Sequence, residues 1–335
     1  MSLKGKVAIV TGASRGCGRG IALQLAEAGC TLFITARCPE ESLSSQLTYL
    51  PTLEDTAEEC RKRGGTCYPH YIDHSDMAAV EEFFNEVARK TDNQLDILVN
   101  NAFSAVTVSA GYFNIIDDQV QKCGSGDTRK FFEKDPEIWD DINNVGLRNQ
   151  YYCSVFGTRI MSKNGMKGFI VNISSLGGIM YLFNVAYGAG KMAIDRISSD
   201  IAHELRDTDI TVVSLWPSAV RTELIINMLE TSAGSWGKTE NEMFLNGESI
   251  EYCGKAVVAI ASDPKRKIWN GSTLITTDMG CYYKYTDIDG RIPTNMRSLR
   301  GLLMLAGHQT MANWCPVWVN LPGWALTLWQ NKINH

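Results

Sequence analysis

Val7-Ala8-Ile9-Val10-Thr11-Gly12-Ala13-Ser14-Arg15-Gly16-Cys17-Gly18 is the stretch on which the fold turns. Four apolar residues, enough for a short buried strand, run into glycines at 12, 16 and 18. Glycine permits a tight turn and lets the backbone approach a ligand closely. A helical pattern from Ile21 to Ala28 follows. The first turn of such a helix offers free N–H groups and a favourable dipole to a pyrophosphate. A Gly-rich turn is a modest signal alone, since glycines also serve packing. Between a first strand and a helix it points to a dinucleotide site.

Outward from this stretch, short apolar runs alternate with helical patterns. Strands are predicted at Thr31–Ile34, Cys67–Ile72, Leu95–Val99, Phe169–Ile173, Thr211–Leu215 and Thr273–Thr276. Helices are predicted over Thr52–Arg63, Met77–Lys90, Trp139–Met161 and Ala186–Arg206. That alternation predicts an α/β chain: a doubly wound Rossmann fold with a parallel sheet of about seven strands and helices on both faces. Residues 1–280 read as one domain carrying both the cofactor site and the active site, and 281–335 as a C-terminal hydrophobic extension. Two stretches read as insertions, Cys38–Pro51 and Ser104–Asp135. The second is polar, contains Gly124-Ser125-Gly126, and leaves the carboxyl end of the fourth strand, where open α/β sheets bind ligands. It reads as a lid.

The 335 residues are 44% hydrophobic and 21% charged, an ordinary globular balance. A net charge of -5 offers no basic field, which argues against nucleic acid as a partner. The ten cysteines form no CxxC pair, and His70, His74, His203, His308 and His335 form no cluster. A disulfide framework and a metal site are therefore not expected. Reduced thiols, with no signal peptide ahead of the first strand, point to the cytoplasm.

The second strand ends Thr35-Ala36-Arg37, where a site preferring NAD(H) usually carries an acid for the ribose 2′-hydroxyl. Arg37, with Arg15 in the Gly loop, suits a 2′-phosphate instead, because guanidinium groups make forked, charge-assisted bonds to phosphate. The expected cofactor is NADP(H) rather than NAD(H). Tyr187 and Lys191 are spaced i, i+4 and share a helix face. An ammonium beside a phenol lowers the phenol's pKa, so the phenol can exchange a proton nearer neutral pH. Ser174 and Ser175 end the fifth strand, where a hydroxyl could donate to a carbonyl oxygen.

With these residues in this order, the sequence resembles a classical short-chain dehydrogenase/reductase over about Lys4 to Gly280. The likeness rests on the TGxxxGxG turn at 11–18, Asp73 after the third strand, Asn100-Asn101-Ala102, Ile173-Ser174-Ser175, the YxxxK at 187–191, and Pro217 with Val220 and Thr222. It implies that Tyr187 is the acid/base, that Lys191 tunes it and holds the nicotinamide ribose, and that a serine polarises the carbonyl. Asp73 would contact the adenine, Asn101 the adenine ribose region, and Val220 and Thr222 the nicotinamide carboxamide. The implied catalytic set is Ser175, Tyr187 and Lys191. The implied cofactor set is Gly12, Ser14, Arg15, Gly16, Cys17, Gly18, Arg37, Asp73, Asn101, Tyr187, Lys191, Pro217, Val220 and Thr222.

Four departures stand out. The family's W-x6-N asparagine falls, counting from Trp139, on Gly146, with Asn143 and Asn144 nearby. Its NNAG reads Asn100-Asn101-Ala102-Phe103, and its Pro-Gly reads Pro217-Ser218. Strand alignment selects Ser175 as the catalytic serine, whereas the commoner spacing to tyrosine selects Ser174.

After Arg300 no Asp, Glu, Lys or Arg occurs until Lys332, and the stretch holds Trp314, Trp318, Trp324 and Trp329. Pro316, Pro322, Asn313 and Asn320 interrupt it, which argues against a spanning helix of roughly 20 apolar residues. Two readings remain: contact with a membrane surface through 301–331, or an arm packed on the substrate cleft or a neighbouring subunit. The expected activity is hydride transfer to or from a lipophilic carbonyl or alcohol. A narrower likeness to one branch of the family implies steroid-like or xenobiotic substrates and association with the endoplasmic reticulum. By resemblance only, a homo-oligomer is expected. The rival reading is a cofactor-binding scaffold or redox sensor with little turnover, for which Gly146 speaks and Tyr187 with Lys191 speak against.

Overall fold

Seven of the apolar runs become strands of one all-parallel sheet, whose inner strands are buried along almost their whole length because both faces are covered, while the edge strand at Thr66–Tyr71 is mostly open to solvent. The computed structural model describes residues 1–39, 50–104, 130–231, 243–295, 297–305, 308–316 and 319–322. The main strands are β1 (Val7–Val10), β2 (Thr31–Ala36), β3 (Thr66–Tyr71), β4 (Ile97–Asn100), β5 (Lys167–Ile173) and β6 (Asp209–Trp216). The short β7 (Val220–Arg221) and β8 (Glu248–Ser249) pair with each other, and β9 (Thr273–Ile275) closes the large sheet. Its order is β3-β2-β1-β4-β5-β6-β9. The order reverses between β1 and β4, and doubly wound sheets bind their ligands at that crevice.

Period-2 alternation sorts the strand residues between two cores. Ala8, Val10, Ile34, Val99, Val171 and Val213 face one side. Val7, Ile9, Phe33, Leu98, Ile170 and Val212 face the other. The first core is covered by α1 (Gly16–Glu27), α2 (Leu53–Lys62) and, further along the chain, Ile250–Ser262. The second is covered by α3 (Met77–Lys90) and by a helical region before β5. Local chemistry sets the helix starts. Thr52 and Asp55 form a capping box on α2, and the Asp76 carboxylate accepts from Ala78 and Ala79 N–H at the start of α3.

The single long helix expected over Trp139–Met161 is broken. It consists of α4 (Ile138–Asn143), a π-helical turn over Asn144–Arg148, and α5 (Asn149–Lys163). Two asparagines and Gly146 are weak helix formers, and the Asn143 amide donates sideways to Ala186 O at 3.1 Å, on the neighbouring helix. That helix, α6 (Val185–Glu204), starts at an Asn184 cap and carries the YxxxK residues. The remaining helices are α7 (Glu223–Thr231), α8 (Ile250–Ser262), α9 (Thr276–Tyr283), α10 (Leu299–Leu305) and α11 (Gln309–Trp314). Thr276, expected to end a strand, starts α9 instead.

Two buried polar chains tie the layers. Asn100 on β4 donates to Asn172 Oδ1 on β5 at 2.8 Å, and Asn172 donates to the Ser198 hydroxyl of α6 at 2.8 Å. His74 bridges the Thr35 hydroxyl at 2.7 Å and Asn149 Oδ1 at 2.8 Å, joining β2 to α5. Burial holds its imidazole below the usual pKa.

The expected lid and the other insertion fall largely on 40–49 and 105–129, outside the described residues, as does Cys123. The extension begins on the body of the protein: Asp278 of α9 accepts from Arg297 at 3.0 Å and from Asn295 at 2.7 Å, and Met304 is buried. Among the described residues no helix is long and apolar enough to cross a membrane, and no group of side chains has a metal-binding arrangement. Trp318, Trp324 and Trp329 lie outside the described residues.

Helices α1 and α8 approach so closely that a Cβ at Gly20 would lie 1.9 Å from Ile250 O, and one at Gly254 would lie 2.5 Å from Gly20 O. Helix propensity alone favours Ala over Gly by about 1 kcal/mol. At this crossing the sign reverses: Gly20→Ala is expected to destabilise by about 1–3 kcal/mol, as overpacking does. Urea denaturation checks this, and a variant as stable as the parent would contradict the packing described.

Candidate functional site

The carboxyl ends of β1, β4, β5 and β6 open onto one cleft, with the Gly loop on one side and α6 on the other. Gly12 and Gly16 have φ of 67° and 57°, a left-handed conformation that glycine tolerates best. Gly18 is closed in: a Cβ there would lie 2.2 Å from Gly12 O and 2.4 Å from Asn101 Nδ2. The Asn101 amide donates to Thr11 O and Gly12 O, both at 2.9 Å. Its nitrogen thus shapes the loop from beneath. The Thr11 hydroxyl accepts from the N–H groups of Asn101 and Ala102, at 2.9 and 3.0 Å. Arg15 supplies no side-chain cap to α1. Of the first-turn N–H groups that of Gly16 is taken by the Glu223 carboxylate, and the rest of the turn, with its positive-φ glycines, makes a cradle of the kind that fits a dinucleotide pyrophosphate.

Ser14, Arg15 and Cys17 line this turn, all half-buried. Burial pushes the Cys17 thiol up to about 12, so it is a poor nucleophile. At the rim, Arg37 is exposed and acts on Asp73. Partial burial pushes the Asp73 carboxyl up, but hydrogen bonds from Ser75 and the Arg37 charge hold it below its ordinary value. Across the cleft, Pro217 follows β6, Val220 is buried, and the Thr222 methyl would lie 3.4 Å from a Cβ on Gly16.

At the other end, the Asn184 cap accepts from Tyr187 N–H at 2.9 Å and fixes the first turn of α6. The Tyr187 ring lies over Gly177, where a Cβ would approach it to 2.5 Å. Phe183 and Phe103 meet the ring edge-on, with centroids at 4.9 and 6.0 Å. One turn on, the Lys191 ammonium is buried, donates to Ile173 O at 3.2 Å, and lies 5.8 Å from the Tyr187 ring centroid. Burial pulls its pKa down to about 8, while Asp195 and Cys17 act in the opposite direction. At neutral pH most of the lysine still carries its proton.

The two serines separate. Ser174 is buried, and its hydroxyl donates to Lys191 O at 3.0 Å, turned into α6. Ser175 is half-buried, and its hydroxyl accepts from Gly177 N–H at 3.1 Å. Ser175 therefore stands beside the glycine on which Tyr187 rests.

Three features of the site escape the sequence reading. Glu223 accepts from Gly16 N–H at 2.9 Å and pins the start of α7 to the Gly loop, although no spacing rule singles it out. Asn143 faces α6 so closely that a Cβ on Gly190 would lie 2.0 Å from its Oδ1. Gly146 is buried, with its would-be Cβ 2.8 Å from two ring carbons of Phe103. The departures at 103 and 146 are thus in contact with each other.

A family model described as short chain dehydrogenase matches residues 6–233. The chain is 40% identical over 335 residues to mouse dehydrogenase/reductase SDR family member 1, covering 99% of each, and 39% identical over the same span to the human protein of that name. A Serratia marcescens short-chain dehydrogenase/reductase mutant superposes with a TM-score of 0.63 at 23% identity, over 82% of this chain and 97% of that one. A putative 2-deoxy-d-gluconate 3-dehydrogenase from Agrobacterium tumefaciens, solved with bound NADP, superposes with a TM-score of 0.62 at 23% identity, over 82% and 95%.

The serine geometry gives a stability prediction. Ser174→Ala, which strips a buried hydrogen bond, is expected to cost about 0.5–1.5 kcal/mol. Ser175→Ala, at a half-buried cap of a short turn, is expected to cost less than about 0.5 kcal/mol. Parallel urea titrations check this, and the reverse order would contradict the two environments.

Proposed function

The chain belongs to the short-chain dehydrogenase family, and from that premise we propose that it moves a hydride between NADP(H) and a lipophilic carbonyl or alcohol, with Tyr187 as the proton-transfer group. The observation that carries this reading is the buried Lys191 ammonium, one helical turn from Tyr187 and 5.8 Å from its ring. When bound, the nicotinamide supplies or accepts the hydride. This chain's residues do the rest. The Lys191 charge favours the phenolate form of Tyr187 and so eases proton loss from its hydroxyl. In the reducing direction, the Tyr187 hydroxyl gives its proton to the substrate oxygen as that oxygen gains charge. In the oxidising direction, the phenolate takes the proton back. Ser175 donates to the same oxygen and orients it.

Arg15 and Arg37 support NADP(H) over NAD(H), and neither Ala36 nor Arg37 offers a carboxylate to a ribose 2′-hydroxyl. Tyr181, Phe183 and Val185 are exposed just ahead of Tyr187 and form an apolar approach, which supports a lipophilic substrate of steroid or xenobiotic type. Met304 and Gly301 of the extension line a small hollow with Ala219 and Gly247, beside β7 and β8. This favours a substrate-covering role for the extension.

Tyr187→Phe is expected to lower kcat/KM for carbonyl reduction by about 100-fold or more while NADPH affinity stays near the parent value. Stopped-flow absorbance with parallel calorimetry checks this, and turnover retained in the variant would contradict the proposed proton path. Arg37→Ala should weaken NADPH binding by about tenfold or more and leave NADH binding nearly unchanged. Equal losses for both cofactors would count against a 2′-phosphate contact. Because Lys191 must be charged, activity is expected to fall as pH rises through about 8.

A further inference from the structure

Phe103 touches both members of the proton-transfer pair. Its ring centroid lies 4.7 Å from Lys191 Nζ, within the range of a cation–π contact. Its edge meets the Tyr187 ring at 6.0 Å with the planes 79° apart. The ring sits in a small apolar cluster with Ile142, Ile138 and Ala186. Behind it is Gly146, in the π-helical turn, where a Cβ would lie 2.8 Å from the ring. Any larger residue at 146 would push the ring toward Lys191 and Tyr187.

The ammonium needs such a support. Its one hydrogen bond to a described residue is to Ile173 O at 3.2 Å. The Asp195 carboxylate on the same helix accepts from the Ser214 hydroxyl and from Trp216 Nε1 at 2.9 Å, both through Oδ1, and acts on the ammonium through its charge without a hydrogen bond to it. The titratable groups facing Lys191 are Asp195 and Tyr187 from α6 and Cys17 from α1. From β5 it receives a carbonyl, and among the described residues after β4 it meets the Phe103 π face.

We propose that Phe103 is a positioning residue for the proton-transfer pair, a cation–π support that holds the Lys191 ammonium beside Tyr187, and that Gly146 is the residue that admits its ring. This rests on the roles of Tyr187 and Lys191 proposed above. The two substitutions act as one unit: the aromatic ring steadies the ammonium, and the missing side chain at 146 makes room for it. Phe103 touches no reacting atom and acts through Lys191.

The sign of the effect follows from the charge. The ring stabilises the protonated lysine, so its removal makes Lys191 release its proton at lower pH. Phe103→Leu and Phe103→Met keep apolar volume without a π face. In either, the Lys191 titration and the alkaline limb of kcat should move toward acid by about 0.5–1 pH unit. The value of kcat at pH 8 should fall by roughly 2- to 5-fold, with KM nearly unchanged. Phe103→Tyr retains the face and should restore the parent pH profile. Gly146→Ala should lower kcat in the same direction. In the double variant Phe103→Leu/Gly146→Ala, the added loss should be small, because residues in contact are not additive.

The deciding experiment follows the lysine directly. Lysines carrying a 13C-labelled ε-carbon are titrated by NMR in the full chain, with the Lys191 signal assigned by its loss in Lys191→Met. A Lys191 titration moved toward acid in the leucine or methionine variant, and restored in Phe103→Tyr, supports the proposal. A titration unchanged from the parent, or a tyrosine variant that behaves like the leucine one, overturns it. This readout needs no turnover. Retained activity in Tyr187→Phe would refute the proton path and leave the lysine titration to judge Phe103 separately.

Discussion

A lysine ammonium shut away from water constrains the rest of this molecule. Lys191 is only 8% exposed, and burying an unneutralised charge is costly unless its protons find partners. Those partners come from separate parts of the chain: the Ile173 carbonyl at the end of β5 and the Phe103 ring beyond β4. They meet only because the sheet places β4 beside β5, and because α6 is held on β5 by the Asn100, Asn172 and Ser198 chain. Asn143 adds a second tie, from α4 to the first turn of α6. One of the buried polar chains of this domain thus fixes α6 against β5. The lysine is thereby held 5.8 Å from the centroid of the Tyr187 ring.

The cofactor side of the cleft works by a complementary logic. There the chain offers backbone donors, one of them held by a carboxylate of its own. Asn101 and Thr11 brace the Gly loop from beneath, and Arg15 leaves the start of α1 without a side-chain cap. A helix start with open N–H groups favours an anion. Glu223 accepts one of these N–H groups and links the loop to α7, the element that follows the Thr222 position.

Much of this was legible because it depends on local pattern. Apolar runs of strand length, interrupted by helical patterns, gave the seven strands with ends shifted by one or two residues. The Gly loop and the i, i+4 pair at 187 and 191 depend on spacing alone, and the structure brings them to one cleft. What stayed hidden depends on contact between residues distant in the chain. The break after Asn143 reflects a side chain bonding to another helix, which periodicity does not record. Ser174 and Ser175 are chemically identical, and only the direction of each hydroxyl separates them. Phe103 and Gly146 read singly as departures, one adding bulk and one removing a functional group. Their contact makes them a single exchange of volume.

The proposed function requires the cleft to transfer a hydride between a bound nicotinamide and a substrate carbon. The measurement that tests it most directly is a single-turnover reaction with NADPH deuterated at the reactive carbon and a lipophilic aryl ketone, with the product examined by mass spectrometry. One deuterium is expected on the carbinol carbon of the alcohol. Tight NADPH binding, with no deuterium transferred to any carbonyl across a panel of lipophilic ketones and aldehydes, would contradict it.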